Sequence, residues 1–256
     1  VVRLFLRRRA VLAAPALVLP HRRADAQMMQ GIIAGKSVAP GPFWTLINQT
    51  SITNSTAGAV TTSAIDTTGA NCLVAGIGYY GGAGTPTFSD SKSNSWTSPL
   101  GNTPPGLLSF LGSLPAVVGS GHTFTVTNPG VIAYATLIVY AFKSASGTPF
   151  FDYNGGNGAT FTSPEVTSGT TVAVPTATPS GSNRLIWSAL TDGAAGTYTV
   201  DSGLAIPIQV AYSVGVNYGF AMGWAISSAA VTVTWTLSSA AGAGGAAGET
   251  ICIGSV

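Results

Sequence analysis

Apolar and polar positions along this chain fall into short runs, most of them rich in β-branched and aromatic residues and too brief for helices. Cys72 to Tyr80 is a continuous apolar run leaving a turn at Gly69-Ala70-Asn71, and Arg184 to Leu190 repeats it behind Gly181-Ser182-Asn183. Each reads as a buried strand. His122 to Asn128 alternates, with Phe124 and Val126 on one face and Thr123, Thr125 and Thr127 on the other, and Val231 to Leu237 repeats the alternation. These read as half-buried strands. Val131 to Phe142 is almost wholly apolar, too short to cross a bilayer and suited to the interior of a sheet. Ser51 to Ile65 and Thr160 to Val174 read as Thr-rich edges, and Ala240 to Gly248 as a flexible loop before the closing strand Thr250 to Ile253.

The runs recur in the same order at the same spacing, so the chain reads as two copies of one β module. Short strands separated by turns every 8 to 12 residues or so indicate a sandwich, and no amphipathic helix pattern interrupts them. The expectation is an all-β fold of two tandem Greek-key or jelly-roll-like β-sandwich modules, 44–150 and 151–256. The turn-rich stretch Phe151 to Gly158 marks the boundary, and 27–43 reads as a linker or strap. Whether the modules are separate or fused is open at this point.

Charged residues make up only 7% of the chain against 46% hydrophobic, the opposite of the balance that keeps chains disordered. Arg3, Arg7, Arg8, Arg9, Arg22 and Arg23 carry most of the basicity. A basic start, an apolar run from Ala10 to Pro20 and Ala24-Asp25-Ala26 have the form of a signal peptide over 1–26. Arg8-Arg9 resembles the pair of a twin-arginine signal. An exported protein, periplasmic or extracellular, is expected, with no membrane span after processing. Beyond residue 26 the cations are Lys36, Lys92, Lys143 and Arg184, outnumbered by the acids. Such a body lacks the basic stripe that phosphate backbones require, which excludes nucleic acid as a partner.

Catalysis finds little purchase. His122 is the one histidine past the signal, there is no Gly-x-Ser-x-Gly elbow, and the acids fall at turns and strand ends. The protein is expected not to be an enzyme and to need no cofactor. Calcium is the one metal worth weighing: Asp152, Asn154 and Asn157 could supply oxygens in the glycine-rich junction, as could Asp90 with Asn94, although the same residues serve equally as turn formers. Cys72 and Cys252 could form a bridge between the copies or stand as buried small residues. For a glycan platform the candidates are Tyr79, Tyr80, Trp96, Tyr198 and Tyr218; adjacent Tyr79 and Tyr80 must point to opposite faces.

The tandem pattern, with Asp90-Ser91-Lys92-Ser93-Asn94-Ser95-Trp96 between strands and a Thr-alternating strand before the last apolar one, resembles uncharacterised tandem β-sandwich proteins of phages, prophages and Alphaproteobacteria. The likeness spans roughly residues 44 to 256. It implies a surface, adhesive or virion-appendage protein that works through its contact surface, on the cell exterior or the virion. Expected partners are another copy of the chain or a host-surface glycan; the alternatives are a secreted carbohydrate-binding module and an extracellular hydrolase.

Overall fold

The computed structural model describes residues 43–80, 84–98, 106–128, 134–152, 161–162, 166–194, 196–241 and 245–256. The expected signal peptide and all but the last residue of the linker lie outside the described residues. The first strands are β1 (Trp44–Asn54), β2 (Gly58–Thr61), β3 (Cys72–Tyr79), β4 (Thr87–Asp90), β5 (Trp96–Thr97), β6 (Leu107–Gly112), β7 (Phe124–Asn128) and β8 (Ala135–Ser144). They are followed by β9 (Pro149–Phe151), β10 (Phe161–Thr162), β11 (Thr171–Ala177), β12 (Arg184–Asp192), β13 (Tyr198–Val200), β14 (Ala205–Val210), β15 (Gly219–Ser227), β16 (Val231–Leu237) and β17 (Ala246–Ser255). No helix occurs among the described residues.

The fold is all-β, and its two halves have one topology. In the first, β1-β8-β3-β6-β5 make one sheet and β2-β7-β4 the other; in the second, the orders are β10-β17-β12-β15-β14 and β11-β16-β13. Strands alternate between the two sheets up to the hairpins β5-β6 and β14-β15, whose strands pair within the larger sheet, and the first and last strands lie side by side, as in a jelly roll. β9 pairs with the far end of β17, so β9 and β10 together do the work of the single long β1.

The larger sheets lie back to back. Phe124, Val126, Leu73 and Leu137 fill the first sandwich, and Val172, Val233, Trp235 and Ile186 fill the second. Between the larger sheets runs a third core, where Trp44, Val74, Tyr140 and Phe142 meet Trp187, Phe220, Met222 and Ile251. This stacking explains the two sequence patterns. β3 is buried on every residue because both of its faces are covered, whereas β11 and β7 belong to outer sheets and alternate. The two copies are thus fused into one unit, Pro42–Val256.

Close approach at this seam depends on glycine. A Cβ at Gly76 would lie 2.6 Å from the Phe220 ring, and one at Gly78 2.7 Å from it. Phe220 therefore lies flat on β3. Tyr140 donates its hydroxyl to the Met222 carbonyl at 2.7 Å, and the Trp44 indole donates to the Asn183 carbonyl at 2.9 Å.

Several expectations need correction. Ala246 to Gly248 belongs to β17, because Ala and Gly are what fits beneath Val172 and Val174. Ordered pairing begins at Trp44 rather than Ser51. The chain changes modules before the glycine-rich stretch: β9 already pairs with β17, so the link is residues 145–148. Gly147 there has φ 78°, and a Cβ would fall 1.9 Å from the Val256 carbonyl oxygen. The matched turns are also out of step. Leu73 points into its own sandwich, while Leu185, its partner in the sequence match, points into the seam. A one-residue offset reverses every side chain of a strand, so the structural equivalent of Leu73 is Ile186.

Candidate functional site

At one end of the seam lies a cleft of about 370 Å³ lined by Tyr80, Tyr134, Gly193, Tyr212, Val214, Gly215 and Tyr218. Strand parity makes its first wall. Tyr79 is buried in the first sandwich, so Tyr80, the next residue, faces out and is 42% exposed. The ladder ends with Tyr79 opposite Ala135, and one residue further the Tyr80 N–H donates to the Tyr134 carbonyl at 2.9 Å. Tyr134 is therefore set beside Tyr80.

The second wall comes from the turn between β14 and β15. Ser213 and Asn217 pair across it, Gly215 takes φ 71°, and the Asn217 amide donates to the Ala211 carbonyl at 2.5 Å. The rigid tip carries Val214 and Val216, 80% and 50% exposed. Tyr212 and Tyr218 flank it at 6.0 Å with their rings nearly perpendicular, and Tyr80 lies 6.4 Å from Tyr218. Thr136 ties the walls together by donating to the Tyr218 carbonyl at 2.6 Å.

Beneath the cleft is Asp192, 1% exposed at the end of β12. Its Oδ1 accepts the Ala194 N–H at 3.0 Å. Burial pushes its carboxyl up to about 6, partly offset by the Ala194, Tyr198 and Gly193 donors. Burial, followed by the Asp192 charge, raises the Tyr198 hydroxyl. That hydroxyl sits between the Asp192 carboxyl and the Tyr212 N–H, within reach of both and well aligned with neither.

No family model, no curated protein and no solved structure matches this chain.

Of the expected glycan platform, the structure brings Tyr80 and Tyr218 together at the cleft, Tyr80 half-exposed at its mouth and Tyr218 buried in its floor. The other three candidates are placed elsewhere. Tyr79 and Tyr198 are buried in the two sandwich cores, and Trp96 packs on Phe88 at 4.6 Å with its indole N–H on Asp90. Tyr134 and Tyr212 escaped the sequence reading, since neither sits in a recognisable motif. The signal for Tyr134 was its place inside the apolar run Val131 to Phe142, one residue before β8, which pairs with the strand ending at Tyr79.

The remaining candidates hold the fold. Asp152 accepts the Ser180 N–H at 2.9 Å and the Arg184 Nε–H at 3.1 Å, and Arg184 lies over Phe150 at 4.9 Å. Asn154 and Asn157 lie outside the described residues, and no cluster of three or more metal-ligating His, Cys, Asp or Glu side chains occurs among the described residues. In the Asp90 to Trp96 motif, Asp90 accepts the Lys92 and Asn94 N–H groups and the Trp96 indole, while the Asn94 amide clasps Val117 through both its oxygen and its nitrogen. The motif is a loop staple. His122 lies between Asp90, 3.3 Å from Nε2, and the Thr67 hydroxyl, 2.9 Å from Nδ1. The grouping has the members of a nucleophile–His–acid set, yet the side chains of His122 and Asp90 are wholly buried, as is Thr67, so no substrate reaches them. Cys72 and Cys252 are free thiols, Cys72 buried in the seam and Cys252 in the second sandwich, so the possible bridge is not formed.

Proposed function

We propose that this is an exported, non-catalytic binding protein that acts by surface contact and takes a neutral saccharide in the tyrosine-lined cleft. The observation that carries the reading is the lining itself: tyrosine rings from both copies, two glycines and a valine, with no charged side chain. Aromatic faces stack on the C–H faces of sugar rings, phenol hydroxyls pair with sugar hydroxyls, and an uncharged lining favours an uncharged ligand. The volume lies at the lower part of the usual range for small-ligand sites, about 300–1,000 Å³. The rigid valine tip beside the cleft offers a further apolar surface to the ligand. Export rests on the N-terminal pattern of basic, apolar and small residues, and an adhesive role on a cell surface or virion accords with it.

The test is equilibrium binding of the full chain to neutral glucan, galactan, mannan and chitin oligosaccharides. Tyr80→Ala and Tyr212→Ala are expected to weaken binding about tenfold or more, with circular dichroism unchanged. Absence of binding at millimolar ligand, or binding indifferent to both substitutions, would refute the reading. A second reading, contact between copies of the chain, is favoured by the exposure of Val214 and Val216. It predicts concentration-dependent association that Val214→Ser reduces, measured by sedimentation velocity.

A further inference from the structure

We infer that Asp192 is the positioning residue of the cleft, holding one lip through the Ala194 N–H and the opposite wall through Tyr198, and that protonating it loosens both. The inference deepens the saccharide reading and rests on it for its consequence in binding, though not for its structural part.

Gly193, a lining residue, is fixed between two contacts: its own N–H donates to the Gly245 carbonyl at 3.0 Å, and the next N–H, of Ala194, donates to Asp192. The second contact runs through Tyr198. Its hydroxyl oxygen lies so close to Gly219 that any Cβ there would fall 2.0 Å away, and the Tyr212 nitrogen is 3.1 Å from the same point. Asp192, Tyr198, Gly219 and the backbone of Tyr212 therefore converge under the cleft. With Asp192 ionised, its two oxygens are acceptors only: Oδ1 takes Ala194, while Oδ2 and the Tyr198 hydroxyl, neither of which has an aligned partner, lie close enough for the carboxylate to draw the O–H toward itself and turn the phenol oxygen toward the Tyr212 N–H. A proton on the carboxyl reverses that pull. The acid then donates toward the phenol, which is left with a hydrogen and no acceptor, and the charge-assisted hold on Ala194 weakens.

The groups facing Asp192 make this titration its own. Tyr198 faces it from β13, with Tyr218 beyond; opposite it, β15 presents Gly219 and β17 presents Ala246. The carboxyl titrates near 6, inside the range in which the folded protein can be studied.

Amide hydrogen exchange on the ligand-free full chain tests the structural part. Protection factors at Ala194 and Tyr212 are expected to be about fivefold lower at pH 5 than at pH 7.5. In Asp192→Asn they should be low at both pH values. In Tyr198→Phe the pH effect should persist at Ala194 and vanish at Tyr212, so a folded variant is on hand even if Asp192→Asn is unstable. Equal protection at both pH values in the wild type overturns the inference. Titrating the oligosaccharides at the same pH values separates it from the saccharide reading. Affinity that falls about fivefold at pH 5 in the wild type and stays flat in Asp192→Asn supports both. Affinity independent of pH despite loosened amides overturns control of binding by Asp192. No binding at either pH, with the amides responding as expected, defeats the saccharide reading and leaves the role of Asp192 in shaping the cleft supported.

Discussion

Glu249 sits near the middle of β17, opposite Ala189, wholly buried, and neither of its carboxyl oxygens has a hydrogen-bond partner. Ile251 and Ile253 on the same strand face the seam, so Glu249 faces it too. In the first copy the seam-facing series is Ile138, Tyr140 and Phe142, which places Ile138 where the second copy has Glu249. Glu249→Ile therefore restores the residue type the position already holds elsewhere in the molecule. Burying a polar group without a partner costs about 1–3 kcal/mol, so the substitution should stabilise by about that amount. The melting temperature should rise by a few degrees to about 10 °C. Burial raises the Glu249 carboxyl well above its ordinary value. The native state thus keeps a proton that the unfolded chain releases near pH 4.3. The stability associated with that proton is fully present below about pH 4.3 and is lost as pH rises toward the native value, by up to about 1.4 kcal/mol per pH unit. Urea denaturation followed by circular dichroism between pH 4.5 and 8 should show this fall in the wild type and its removal in Glu249→Ile. Glu249→Gln should flatten the profile without the gain at low pH, because the amide is still buried unpaired. Superimposable wild-type and Glu249→Ile profiles, or a folded Glu249→Ile less stable than wild type at pH 7, would refute the reasoning.

Gly76→Ala should destabilise by about 1–3 kcal/mol by thermal denaturation, since the new methyl meets the Phe220 ring, and Phe220→Leu in the same chain should recover part of the loss. Burial pushes the Asp90 carboxyl up, but the bonds from His122, Lys92, Trp96 and Asn94 outweigh it and hold the group below the ordinary range. Its stabilisation is therefore present above about pH 3.9 and lost as pH falls below that; Asp90→Asn should flatten this acid limb, read by urea denaturation followed by circular dichroism. Burial raises both thiols, that of Cys252 to about 12 with help from the Asp152 charge. Native protein should accordingly leave a thiol reagent unreacted, while the unfolded chain reacts at both cysteines and intact mass is unchanged by reductant.

The seam was half legible in the sequence. Apolar runs such as Val131 to Phe142 announced strands in the interior of a sheet, and the alternation at Phe124 and Val126 announced a half-buried strand, because burial writes directly into residue type; that two larger sheets would meet back to back was not announced. The offset between Asn71 and Asn183 was not legible. Similar letters fill both turns, yet Asn183 adopts φ 56° while Asn71 bonds Ser144 at the end of β8, and this backbone difference shifts the strand that follows by one place. The cleft was legible only through Tyr218, placed near a turn, and the Tyr79-Tyr80 pair, whose opposite directions follow from parity. Tyr134 and Tyr212 reach it through long-range pairing, which no local pattern encodes. The Asp90 to Trp96 motif stood out in sequence because one carboxylate must be matched by several donors at fixed spacing; that same economy marks it as a staple rather than a site.

Between Ser144 at the end of β8 and Pro149 at the start of β9 the chain has room for a single tight turn. Two like halves joined this way resemble a homodimer whose subunits cannot part. An association that would otherwise depend on protein concentration becomes intramolecular, with the apolar faces of the two halves held at high effective concentration from the moment both are made. Dilution leaves such a pairing untouched. A site assembled from both halves then stays assembled for a single molecule acting alone.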